Sequence, residues 1–157
     1  MLIKLIAIGK TDNQAIQRLI DDYSKRLNFY IKFELELIPD LKSTKSLSEA
    51  QQKEKEGELI LKKVLPSDEL ILLDEGGKMF SSVEYSQFLQ KKMNSGVKQL
   101  IFVIGGPYGF SEAVYNRGQS KISLSKMTFS HQMIRPFFIE QLYRAMTILK
   151  GEPYHHQ

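Results

Sequence analysis

Leu100-Ile101-Phe102-Val103-Ile104 is an unbroken apolar run that stops at Gly105-Gly106-Pro107-Tyr108-Gly109. Bounded by glycine and proline and rich in branched and aromatic side chains, a run this short reads as a strand. It shows no polar alternation, so both of its faces must meet apolar neighbours, as in a parallel sheet covered by helices on both sides. Leu2, Ile3, Leu5, Ile6, Ala7 and Ile8 repeat the pattern before Gly9, broken only by Lys4. Leu70 to Leu73 repeats it again, and Asp74-Glu75-Gly76-Gly77 reads as its tight exit turn.

Helical spacing fills the intervals. From Asn13, the residues Ile16, Leu19, Ile20, Tyr23 and Leu27 recur every three or four positions and predict one buried helix face. Phe33, Leu35 and Leu37 alternate with Glu34 and Glu36, which predicts a strand with one wetter face near a sheet edge, followed by a polar loop over Asp40 to Thr44. Ser46 and Glu49 have capping-box spacing; the helix they start is highly charged from Lys53 to Glu58, a pattern that usually marks a solvated face, and Pro66 stops it. Ser81 and Glu84 repeat the box before Val83, Phe88, Leu89 and Met93. A short helix is expected from Ser111, a last short strand over Ile122 to Leu124, and a long helix from about His131 to Lys150, capped by Gly151, in which Pro136 must either lie in the first turn or kink the helix. Strands alternating with helices, without a repeat or linker, predict an α/β fold with a mainly parallel sheet and a single domain over residues 1–157.

Composition narrows the function classes. With 42% hydrophobic residues, the 157-residue chain can bury about 70% of its unfolded surface without staples. The absence of cysteine removes disulfides, thiolate–zinc sites and thiol nucleophiles, and three histidines are too few to make a metal cluster unaided. No apolar stretch reaches the roughly 20 residues of a membrane span, and Leu2–Ile8 leads into a helical pattern rather than a cleavage site, so a cytoplasmic location is expected. The net charge of +4 permits a polyanionic partner without requiring one.

In a parallel sheet, ligands bind beyond the carboxyl ends of the strands, where this chain carries Asp74 to Gly77, Gly105 to Gly109 and the Ser125 to His131 loop. Gly9-Lys10-Thr11 fails as a phosphate-binding loop because Lys4 stands where that motif needs glycine. Gly105, Gly106 and Gly109 lack the dinucleotide-binding gaps, and no serine sits in a nucleophile elbow. Arg135, Glu140 and Arg144 on the last helix are expected near the same end of the sheet. Glu140 and Arg144 are spaced as an i,i+4 ion pair, which is commonly a simple surface pair. His131 is more often a structural residue than a catalyst. Glu152-Pro153-Tyr154-His155-His156-Gln157 would ordinarily fray, although an aromatic ring beside imidazoles suits stacking on a nucleobase.

Gly105 to Gly109, Leu124 to Phe129 followed by His131, Glu140-Gln141-Leu142-Tyr143-Arg144-Ala145 and Pro153-Tyr154-His155, taken together, resemble the RlmH family of SPOUT-class methyltransferases over the whole chain. The resemblance implies a single-domain SPOUT fold with a C-terminal trefoil knot, and a homodimer that uses S-adenosylmethionine without a metal. It implies methylation of N3 of a pseudouridine in 23S ribosomal RNA within the assembled ribosome, with no membrane and no DNA partner. Carried over by position, Leu73, Gly105, Leu124, Ser125, Lys126, Met127, Thr128 and Phe129 would bind the methyl donor, and Arg144, His131, Glu140, Tyr154 and His155 would surround the target nucleoside. A non-catalytic ribosome- or RNA-binding α/β protein is the competing expectation. A nucleotide hydrolase using Asp74 and Glu75 ranks behind both.

Overall fold

A computed structural model describes residues 1–156. The elements run β1 (Leu2–Ile8), α1 (Gln14–Leu27), β2 (Lys32–Ile38), a 3-10 turn (Thr44–Ser46), α2 (Glu49–Leu61), β3 (Glu69–Met79), α3 (Ser82–Asn94), β4 (Gln99–Ile104), α4 (Glu112–Arg117), β5 (Ser120–Ser123) and α5 (Ile134–Lys150). All five strands are parallel, in the order β2-β1-β4-β3-β5.

The apolar runs are continuous because successive side chains enter different cores. Leu100, Phe102 and Ile104 join Ile3, Leu5 and Ala7 under α1, α3 and α5. Ile101 and Val103 join Ile6 and Ile8 against α2 and α4. Each layer buries one set of the period-two alternation, so Leu100 to Ile104 is apolar at every position, and in β1 only Lys4 interrupts the run. β2 is one edge strand and β5 the other; the wetter face of β2 carries Glu36, which accepts from Lys4 at 3.1 Å and lies 2.8 Å from Lys63.

Several boundaries differ from the sequence expectation. Leu19 is 47% exposed. Ile16, Ile20, Tyr23 and Leu27 define the α1 stripe, and Leu19 falls roughly 70° off its centre at about 100° per residue. The box that starts α2 is Ser48 and Gln51 rather than Ser46 and Glu49, because Ser46 is held in the 3-10 turn and Ser48 has the extended backbone a cap needs. That helix ends at Leu61, a turn before Pro66. The box at Ser81 and Glu84 is formed.

Asp74 to Gly77 is a bulge rather than an exit turn. Leu73 and Lys78 both pair with Ile122, and β3 then continues to Met79. Gly77 makes this possible, since a Cβ there would stand 2.6 Å from the Ile122 backbone. β5 is Ser120–Ser123, and Leu124 has already left it for the following loop. His131 to Met133 form a turn that places Ile134 at the start of α5, with Pro136 in its first turn, where no donor is needed. Gly151 closes the helix at φ 68°, in the left-handed region.

Candidate active site

Because β4, β3 and β5 are adjacent and parallel, their carboxyl ends deliver three loops to one edge of the sheet. Leu73 is paired with both Ile104 and Ile122, so the loops leave from one level. They enclose a cleft of about 590 Å3. The β3 bulge supplies Leu73 and Asp74, the β4 exit supplies Gly105 to Phe110, and the β5–α5 loop supplies Leu124, Ser125, Met127, Thr128 and Phe129, with His131 at the rim. Lys126 belongs to the same loop but is exposed and does not line the cleft.

Local hydrogen bonds set these loops. Gly109, at φ 82°, donates to the Gly106 carbonyl at 3.1 Å. Ser123 Oγ donates to the Ser125 carbonyl at 2.8 Å, and Ser125 Oγ accepts from the Met127 amide at 2.9 Å. A clasp joins two of the walls: Tyr115 donates to Asp74 Oδ2 at 2.6 Å, and Asp74 Oδ1 accepts from the Gly76 amide at 2.8 Å. Burial, then the Asp74 hydrogen bond and charge, push the Tyr115 hydroxyl up to about 12. No sequence signal links Tyr115 to Asp74.

Glu140, Arg144, Tyr154 and His155 form a second cluster on α5 and the chain end, away from the cleft. Arg144 lies almost three turns beyond the cleft residue Ile134, about 15 Å along the axis at about 1.5 Å per residue. Arg144 Nη2 donates to Glu140 Oε1 at 2.5 Å, and Nη1 lies 3.3 Å from His155 Nδ1. Since a guanidinium only donates, Nδ1 is the acceptor in this contact. Burial opposes the Arg144 charge, yet the Glu140 hydrogen bond and charge outweigh it and raise the guanidinium pKa. Tyr154 donates to Glu140 Oε1 at 3.0 Å, meets the Tyr23 hydroxyl at 3.2 Å, and carries the Arg144 guanidinium 4.7 Å above its ring centre. Burial first, then Tyr23 and Glu140, raise the Tyr154 pKa, so its hydroxyl stays protonated.

Glu152, Tyr154 and His155 are therefore tied down rather than frayed; Gln157 lies outside the described residues. Tyr143 stands edge-on to Tyr154 at 4.7 Å and Tyr30 edge-on to Tyr143 at 5.9 Å, while Tyr30 donates to Glu152. The parts played by Tyr23, Tyr30 and Tyr143 were not readable from spacing, because α1 and the chain end meet only in the fold. The polar groups of α5 also do not converge as expected. Arg135 is 1% exposed and points to the β1 exit, donating to the Ile8 carbonyl at 2.7 Å and to Thr11 Oγ1 at 2.9 Å. It anchors α5 to the sheet, and burial lowers its pKa.

The cleft combines mainly apolar walls with the backbone of Gly105 and Gly106, and Asp74, Glu75, Tyr108, Tyr115 and His131 are its ionisable side chains. Its volume lies in the range of roughly 300–1,000 Å3 for small-molecule sites, so an adenosyl compound fits the residues present. A family model described as "Predicted SPOUT methyltransferase" matches residues 1–155, and gives the class to which this sheet and cleft correspond. Over its full 157 residues the chain is 73% identical to the whole of the ribosomal RNA large subunit methyltransferase H of Flavobacterium johnsoniae, and equally to that of Flavobacterium psychrophilum. To the same-named protein of Bacteroides fragilis it is 55% identical, again over the full length of both. The chain belongs to the SPOUT methyltransferase family, in the branch formed by these large-subunit methyltransferases H.

Proposed function

We propose that the chain transfers a methyl group from S-adenosylmethionine to N3 of a pseudouridine in 23S ribosomal RNA, within the assembled cytoplasmic ribosome, as a homodimer of single-domain protomers spanning residues 1–157. The observation that carries this reading is the convergence of the β3, β4 and β5 loops on one nucleoside-sized cleft in a full-length SPOUT chain. Those loops would form the C-terminal trefoil knot that the family implies. Relatives over the whole length are named for ribosomal RNA large-subunit methylation, which supports the substrate class.

Leu73, Gly105 and Leu124 to Phe129 would hold the methyl donor, with Lys126 at the outer side of its loop. S-adenosylmethionine supplies an electrophilic methyl carbon when bound there. The chain's own task is to place N3 in line with that carbon, exclude water and take up the imide proton. Arg144, oriented by Glu140, would stabilise the anion that develops on the flanking carbonyl oxygens. Tyr154, kept neutral, would offer a stacking face, and His131 or His155 would accept the proton. About 15 Å of helix separates Arg144 from its own cleft, so the productive site combines the cleft of one protomer with the Arg144 cluster of its partner.

Mass spectrometry of ribosomal RNA from cells lacking the gene tests the reading: one methyl group on a pseudouridine should disappear, and unchanged RNA would sink it. Assembled ribosomes should be methylated efficiently and a bare RNA hairpin poorly. A non-catalytic RNA-binding protein would need no cofactor, so S-adenosylmethionine would leave its melting temperature unchanged, whereas the methyltransferase should melt higher in its presence. The hydrolase reading is weakened because the Asp74 carboxylate is already taken by Tyr115 and Gly76.

A further inference from the structure

Behind the cleft, the Gly105–Gly109 turn meets α2 where Gly106 lies against Glu56. Glu56 is 3% exposed, although it lies within the most charged stretch of the chain. Its Oε1 accepts from Gln52 at 2.9 Å, while Oε2 is buried and has no hydrogen-bond partner among the described residues. A Cβ on Gly106 would overlap this carboxyl group, so the acid occupies the space that glycine leaves empty. The neighbouring Gly57 does the same for the end of the turn: a Cβ there would overlap Ser111 Oγ, the cap of α4. Glycine inside a helix weakens it, and here it lets α2 lie directly against the segment that follows β4.

Packing alone does not account for an acid at this position. Ile60, Phe110 and Val114 fill the same interface with apolar atoms, and a hydrocarbon side chain would fill it without the cost of desolvating a carboxyl group. Burial raises the Glu56 carboxyl above the usual carboxylate range; the Gln52 hydrogen bond opposes that rise, Asp40 adds to it and His131 opposes it.

We infer that Glu56 is a positioning residue of the cofactor cleft: its buried carboxyl group, seated against Gly106, sets how far the Gly105–Gly109 turn stands into the cleft. The assignment rests on the methyl-donor reading above. Gly106 is cleft wall on one side and meets Glu56 of α2 on the other, so a displacement at Glu56 is transmitted to the cleft through a single peptide layer. Binding sites tolerate only about 0.5 Å of such displacement.

Calorimetric titration of the full chain with S-adenosylmethionine and with its demethylated product tests this. E56A and G106A should each weaken binding about tenfold. The E56A/G106A pair should lose less than the product of the two, because removing the acid makes room for the new Cβ. E56Q, which keeps the shape, should recover most of the affinity. I20A, a cavity in the opposite core, should lower the melting temperature without weakening binding. Wild-type affinity in folded E56A, or multiplicative losses in the pair, would overturn the proposal. Should E56A not fold, G106A/E56D against G106A decides: the shorter acid restores affinity under the proposal and otherwise does not. If the wild type bound neither compound, the methyl-donor reading would fall on its own. Amide exchange would still test Glu56, since faster exchange confined to Gly105–Gly109 in E56A supports positioning and unchanged exchange rejects it.

Discussion

Glu140 sits 2.5 Å from Arg144 and fixes the direction of its guanidinium, and both side chains are at least three-quarters buried. The i,i+4 spacing made this pair legible, but not the Tyr154, His155 and Tyr23 shell that distinguishes it from an ordinary surface pair. Replacing Arg144 with Ala should reduce turnover on ribosomes about 100-fold or more while leaving cofactor affinity within about twofold. Equal losses in single-turnover kinetics and in calorimetry would place Arg144 at the cleft instead. Tyr115 gives a second expectation at this scale. Its pKa is raised in the fold, from 10.0 to about 12, by burial and by Asp74. The stability it contributes is therefore complete below pH 10 and is lost as pH rises from 10 to 12. Y115F should show a smaller fall in melting temperature across that window than the wild type, and phenolate absorbance should lack one late-titrating group.

Among the elements, β3 departs furthest from its pattern. Two glycines after an acidic pair signal a turn locally, yet the strand bulges and resumes pairing with β5. That outcome depends on the approach of Gly77 to the backbone of Lys121 and Ile122, which come from a distant segment. Gly77→Ala should force the strands apart and destabilise the chain by about 1–3 kcal/mol, the usual cost of overpacking. It should also weaken cofactor binding, because Leu73 and Leu124 flank this junction. Urea denaturation and titration would check both, and an unperturbed G77A would show that the pairing is loose. The shift of the α2 cap from Ser46 to Ser48 has a related origin: both serines satisfy the spacing, and the backbone leading into the helix chose between them.

For the whole molecule, the separation of cleft and Arg144 cluster makes a specific demand on the proposed dimer. Mixing R144A protomers with protomers whose cleft is blocked, for example by a bulky substitution at Gly105, should restore activity. Random exchange makes about half of the dimers mixed, each with one complete composite site, so about a quarter of wild-type turnover is expected. No recovery after verified subunit exchange would mean that each protomer works alone.

Sequence by itself determined that the chain is α/β, which runs are strands, and that the sheet is parallel with both faces covered. Those properties are local: they follow from side-chain alternation, helical spacing and caps acting over a few residues. The tertiary structure alone decided the strand order, the bulge in β3, the clasp between Tyr115 and Asp74, and the divergence of Arg135 from Arg144. Arg135 bonds to the Ile8 carbonyl across 127 residues. A contact of that separation forms because the assembled core brings the two segments together, and no spacing within either segment records it.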